Sequence, residues 1–165
     1  MAMTIRNSRS SEEILREIIE EGQELQKAIE DRPRVRALNY DALFDQSLKL
    51  MLTTYFSKRD KAAQKLFDPS IGGPLASLTH KARLAYALGI IDKTALDDLL
   101  QLHKVRNIFA HSVDSSFSDT EVWKECQKLS TTRGRKVTGK DSLECYERSV
   151  GTIVKYITQK LQQER

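Results

Sequence analysis

The sequence predicts an all-α protein that folds as a single compact bundle of about six to seven helices. Apolar residues recur at spacings of three and four along most of the chain, as they do on the buried face of an amphipathic helix. No segment alternates apolar and polar residues with the period of two that a half-buried strand requires. Serine or aspartate is followed three positions later by glutamate at three places where a helix would begin.

The length of 165 residues predicts one helical domain over 1–165, with enough chain to bury a core. Charged residues make up 30% and hydrophobic residues 39%, which is typical of a globular protein and excludes a disordered one. The longest apolar run, 84–91, is too short to span a membrane, and the N-terminal segment lacks the apolar stretch of a signal peptide. We therefore expect a cytoplasmic protein without a membrane segment, with residues 1–10 as a flexible tail.

The first two helices are predicted at 10–31 and 35–57. A capping box of Ser10 and Glu13 begins the first helix, and Pro33 marks the place where that helix stops. The second helix carries apolar residues that we expect on its inner side, and these are Leu38, Leu43, Phe44, Leu48, Met51 and Tyr55.

Short helical turns at 61–67 come before the strongest break in the chain, the Gly- and Pro-containing segment 68–74. The next helix begins at residue 75 or 77 and ends at Gly89, which we expect in the left-handed conformation that closes many helices. The two isoleucines after Gly89 would turn the connection toward the core.

Three capping signals define the second half of the chain. Asp92 is the predicted cap of a helix over 93–111. A capping box at Ser118 begins a short helix that ends near Leu129, and a similar pattern at Asp141 begins the last helix. The inner side of the last helix would be formed by Leu143, Val150, Ile153, Val154, Ile157 and Leu161.

A basic segment lies between the last two predicted helices, in a chain whose net charge is +4. No acidic residue occurs between Gln127 and Lys140, so we expect 130–140 to form a flexible basic loop. Such a loop can contact phosphates without reading sequence, although no aromatic residue is interleaved to stack on bases. The alternative is a solvated loop with no ligand. The candidate nucleic-acid contacts are Arg133, Arg135, Lys136 and Lys140, with Lys128 just before them.

The predicted helix 93–111 carries a second candidate site. Arg106 shares an apolar stripe, so we expect it to pair with an acidic residue of the second helix, either Asp41 or Asp45. Asn107 and His111 are four residues apart and share one face. Arg106 and His111 lie about 140° apart around the helix axis, so one shared site would need a bend or a second copy of the helix. The alternative role of His111 is to cap the helix C-terminus.

Other kinds of site are not predicted. His80 and His103 lack the spacing of metal ligands, and the two cysteines, Cys126 and Cys145, are expected to be buried, reduced thiols. We therefore expect neither a metal nor a cofactor. The helix pair around Gly89 is a poor helix-turn-helix, because its second helix opens with acidic residues that would meet DNA phosphates.

Three segments in order resemble the mannitol operon repressor family. They are 73–89 (GPLASLTHKARLAYALG) with Ile-Ile-Asp after it, 99–111 (LLQLHKVRNIFAH), and 116–119 (SFSD). The resemblance covers about 50 residues, 72–121, and implies an all-α fold and a role in transcriptional repression. That family has no recognised DNA-binding motif, so the resemblance favours a regulator that acts through a protein partner.

The segment 106–111 (RNIFAH) also resembles the Arg-x4–6-His motif of HEPN domains, which are helical bundles. Many HEPN domains are metal-independent ribonucleases that work as homodimers, and this resemblance implies Arg106, Asn107 and His111 as catalytic residues. His would serve as general acid or base, and Arg would stabilise charge at phosphorus. A non-catalytic interaction module is a third interpretation. We favour the regulator over the enzyme, because its resemblance spans several segments.

Overall fold

The computed structural model describes residues 32–56, 60–112 and 114–163, and within these ranges it contains α-helices and no strand. The all-α prediction is therefore confirmed. The predicted helix 10–31 and tail 1–10 lie outside the described residues. Three short 3₁₀ turns occupy Lys65–Phe67, Pro69–Ile71 and Ser130–Thr132. The described helices are α1 (Pro33–Tyr55), α2 (Lys61–Gln64), α3 (Leu78–Ala87), α4 (Lys93–His111), α5 (Thr120–Cys126) and α6 (Ser142–Gln163).

Helix α4 is the centre of the bundle, because α1, α3, α5 and α6 all contact it. Burying its apolar side chains on several sides removes a large apolar area from water, which stabilises the fold. The helix keeps one accessible face, which includes Asp97 and Lys104. Its buried residues are Ala95, Leu96, Asp98, Leu99, Gln101, Leu102, Val105 and Phe109.

The predicted inner side of α1 is correct at its centre and wrong at two positions. Phe44, Leu48 and Met51 are buried, but Leu43 is 47% exposed and Tyr55 is 51% exposed. Leu43 points about 100° away from its neighbour Phe44, so it lies outside the arc that meets the core. Tyr55 occupies the last position of the helix.

The connection between α3 and α4 follows the predicted pattern. Gly89 has φ +71°, so it adopts the left-handed conformation that the sequence predicts. Ile90 and Ile91 are both 2% exposed and turn into the core. The Asp92 carboxylate then accepts a hydrogen bond of 2.8 Å from the backbone N–H of Ala95, which confirms it as the cap of α4.

The start of α5 differs from the prediction. Asp119, not Ser118, is the residue that precedes the helix, and the helix ends at Cys126 and not near Leu129. The Asp119 carboxylate accepts from the backbone N–H of Ser116 at 2.8 Å, so it stabilises the preceding turn and leaves the helix without a side-chain cap. The predicted box of Ser118 and Glu121 does not form, because the helix begins one residue later, and the Asp119 carboxylate that could cap it binds the preceding turn.

Candidate functional site

A polar groove with a volume of about 590 Å³ opens between α3, α4 and the segment 128–133 that follows α5. It is formed by residues that are far apart in sequence and that the bundle brings together. Its lining residues are Thr79, Arg83, Asp97, Asp98, Leu100, Gln101, His103, Lys104, Asn107, Lys128, Ser130 and Arg133.

Four cationic side chains from three parts of the chain line this groove: Arg83, Lys104, Lys128 and Arg133. Lys128 forms a salt bridge of 2.5 Å with Glu125. Burial raises the pKa of Glu125, but hydrogen bonds from Lys128 and Gln101 outweigh burial and lower the pKa below its ordinary value. Among the described residues, the other three cations of the groove have no salt bridge.

The two acidic residues of the groove, Asp97 and Asp98, each have a partner. Asp98 is 2% exposed and accepts a hydrogen bond of 2.8 Å from the backbone N–H of Ser130, together with a second one from the Ser130 hydroxyl. Asp97 forms a salt bridge with Lys93, four residues earlier on α4. Ser130 is neutral and leaves the negative charge of Asp98 in place, but the four lining cations outnumber the two lining carboxylates, so the net charge of the lining is positive.

One carboxylate, Asp41 on α1, joins two turns of α4 beside the groove. Its Oδ1 lies 2.7 Å from Nδ1 of His103, and its Oδ2 lies 3.4 Å from Nε of Arg106. The predicted pairing of Arg106 is thus confirmed for Asp41, and the second candidate acid, Asp45, pairs instead with Lys81 at 2.5 Å.

The residues proposed from the Arg-x4–6-His motif are spread over three environments. Arg106 turns toward Asp41 on α1 and is 34% exposed. Asn107 lines the groove, and its Oδ1 accepts a hydrogen bond of 3.0 Å from Arg106 Nη1. His111 is exposed at the last residue of α4, and no hydrogen bond to Arg106 is present between these described side chains.

The first residues of the basic segment pack against the helices, and its charged side chains are exposed to solvent. Thr131 shares a hydrogen bond with Ser149 on α6, and Thr132 and Val137 are buried. Of the four candidate nucleic-acid contacts in this segment, one, Arg133, lines the groove. The other three are exposed and lie outside the groove lining: Arg135, Lys136 and Lys140.

Sequence reasoning missed Arg83, Lys104 and His103 as members of a site. Arg83 lies on α3 and the other two lie on α4, so no single local motif contains them. The pairing of His103 with Asp41 had a signal in the sequence, because the helix that holds Asp41 is predicted to supply an acid to α4.

Within the described ranges, no cluster of three or more His, Cys, Asp or Glu is placed to hold a metal ion. No helix in those ranges is long and apolar enough to cross a membrane.

The fold and the groove place the chain among all-α helical bundle proteins with a charged surface site. A family model described as MtlR, mannitol repressor, matches residues 24–163. The chain therefore belongs to the mannitol repressor family, as the three resembling segments predicted.

A solved structure gives a second comparison. A chain in the X-ray structure of the MtlR–HPr complex from Escherichia coli matches with a TM-score of 0.55 and 20% sequence identity. The match covers 86% of this chain and 96% of that chain, so the two proteins share a fold over nearly their whole length. No curated protein matches the chain.

Proposed function

We propose that this protein is a transcriptional regulator that acts by binding a protein partner and does not itself read DNA sequence. The observation that carries the proposal is the family match over 24–163, which covers most of the chain. The solved relative is described as a complex of MtlR with HPr, so HPr is the partner that we propose for this chain.

The position of α4 supports the part of the proposal that concerns DNA. In a helix-turn-helix, the second helix must leave one face free to enter the major groove. The corresponding helix of the pair around Gly89 is α4, which packs against four other helices. Its first two turns also contain Asp97 and Asp98. This helix would therefore have to leave the core, and would bring negative charge to the DNA.

Binding of purified protein to HPr from the same organism tests the proposal. We expect a stable complex by isothermal titration calorimetry, with a Kd of about 1 μM or tighter, and no complex with an unrelated protein of the same size. Binding to operator DNA should be weak, insensitive to sequence and lost as salt increases. Tight, salt-resistant binding to one operator, without binding to HPr, would overturn the proposal.

A second candidate function is a metal-independent ribonuclease that works as a homodimer, with Arg106, Asn107 and His111 as catalytic residues. The observation that favours it is the hydrogen bond by which Arg106 holds the Asn107 side chain at the groove. His111 lies one helical turn further along α4 and is exposed, so a second copy of the chain can reach it.

RNA cleavage in the presence of a chelator separates the two functions. A ribonuclease would lose activity in His111→Ala, whose exposed side chain can be removed without loss of stability, and its mass in solution would be that of a dimer. Equal RNA decay for the wild type and the variant would exclude His111 as a catalyst. Binding to HPr without cleavage or an effect on transcription would identify a plain interaction module.

A further inference from the structure

We propose that the groove between α3, α4 and the segment 128–133 binds a small molecule that carries a phosphate monoester. The proposal goes beyond the regulatory function and assigns a ligand to this chain. Its basis is that Arg83, Lys104 and Arg133 converge on one groove from three parts of the chain. None of the three forms a salt bridge with another described residue.

Within the described ranges no carboxylate lies within salt-bridge distance of these three cations, so their charge favours an anionic ligand. The two lining carboxylates do not offset the four lining cations: Asp97 is paired with Lys93, and Asp98 keeps its charge beside the neutral Ser130 but is 2% exposed. Arg83 lies on α3, Lys104 lies on α4, and Arg133 lies in the segment 128–133. A phosphate monoester carries close to two negative charges at neutral pH, and Arg binds it through two parallel hydrogen bonds.

The polar neighbours of these cations are suited to donate hydrogen bonds. Asn107 uses its carbonyl oxygen to accept from Arg106, which leaves its NH₂ group for a ligand. His103 uses Nδ1 toward Asp41, so Nε2 is the ring nitrogen left for the groove, and it donates when the ring is protonated. Thr79, whose side chain carries a hydroxyl group, also lines the groove.

The dimensions and the lining favour a small molecule over a nucleic-acid strand. A volume of about 590 Å³ falls within the range of small-molecule sites. No aromatic side chain is among the lining residues, so nucleobases would find no surface on which to stack. Three further cations of the basic segment lie outside the groove lining, so they do not continue the groove as a cationic track for a nucleic-acid strand: Arg135, Lys136 and Lys140.

Calorimetric titration with ribose 5-phosphate, glycerol 3-phosphate and inorganic phosphate tests the proposal, with ribose as the uncharged comparison. At least one phosphate monoester should bind at millimolar concentration or below, and ribose should not bind. Arg83→Ala and Arg133→Ala should each weaken binding by about tenfold or more, because each removes a charged hydrogen-bond donor. Thermal melts of the variants would verify that they remain folded.

Arg135→Ala is the matched control, because it removes an exposed arginine two positions from Arg133 that does not line the groove. Its affinity for the monoester should stay within about twofold of the wild type. Equal weakening by Arg135→Ala, or failure of all three phosphate probes, would overturn the proposal. A ten-nucleotide RNA that binds more tightly than the monoesters would assign the groove to nucleic acid. Binding of HPr to Arg83→Ala, measured in parallel, keeps this result separate from the regulatory function.

Discussion

Replacing Asp98 with alanine should destabilise the protein far more than the same change at its neighbour Asp97. Asp98 is 2% exposed and accepts two hydrogen bonds from Ser130, which fix the loop that borders the groove. Each hydrogen bond to an ionised group contributes about 1.5–3 kcal/mol, so the two together set an upper range of about 3–6 kcal/mol.

Two effects reduce that range for Asp98. Ser130 is half-buried, so its free donors can bind water in the variant, and removing a buried charge also recovers the free energy spent in taking it out of water. We therefore expect a loss of about 2–3 kcal/mol in the free energy of unfolding, with a Tm lower by about 4–12 °C.

Urea denaturation at neutral pH, followed by circular dichroism, measures this loss. The control is Asp97→Ala, because the Asp97 side chain is 49% exposed and its salt bridge with Lys93 lies on the helix surface. This control should lose less than about 0.5 kcal/mol. If Asp98→Ala were no less stable than Asp97→Ala, the loop would not depend on this carboxylate and the reasoning would be wrong.

Three further predictions concern single side chains. Arg106→Ala should lose about 1 kcal/mol in urea denaturation, because it leaves Asp41 with one partner fewer; full stability would show that the pair contributes nothing. The hydroxyl and backbone N–H of Thr138 lower the pKa of Asp141, so Thr138→Val should raise that pKa in an NMR titration. The stabilisation from Asp141 is present above its unfolded-state pKa and is lost as the pH falls through the folded-state pKa. An unchanged pKa of Asp141 in Thr138→Val would refute the role of these hydrogen bonds. Burial raises the pKa of Cys126 to about 12, so a thiol reagent at pH 8 should label it only after unfolding, and mass spectrometry of the native protein would reveal any earlier labelling.

The parts of the fold that the sequence predicted well depend on local chemistry. Gly89 and Asp92 act within one or two turns of their own helices, so their residue types predict the end of α3 and the start of α4. The pairing of Arg106 with an acid of α1 was also predictable, because a cation on an apolar stripe needs a partner. The choice of Asp41 over Asp45 was not, since it depends on how far α1 is displaced along α4.

The groove could not be predicted, for a different physical reason. Its free cations come from α3, α4 and the loop after α5, and each of them in isolation looks like an ordinary solvated residue of a surface. Their shared position results from tertiary packing, and in particular from Asp98, a buried acid that holds Ser130 and so places Arg133 nearby. The sequence gives no periodicity or spacing for a contact of that kind.

The double contact of Asp41 has a mechanical consequence. His103 and Arg106 are nearly one turn apart on α4, and one carboxylate of α1 binds both of them. Sliding α1 along α4 by a single residue, about 1.5 Å, would move the carboxylate away from one of these side chains as it moves toward the other, so the present pair of contacts would not be kept. The double contact therefore favours one register of α1 against α4. Through Asp41, a displacement of His103 in the groove would act directly on α1.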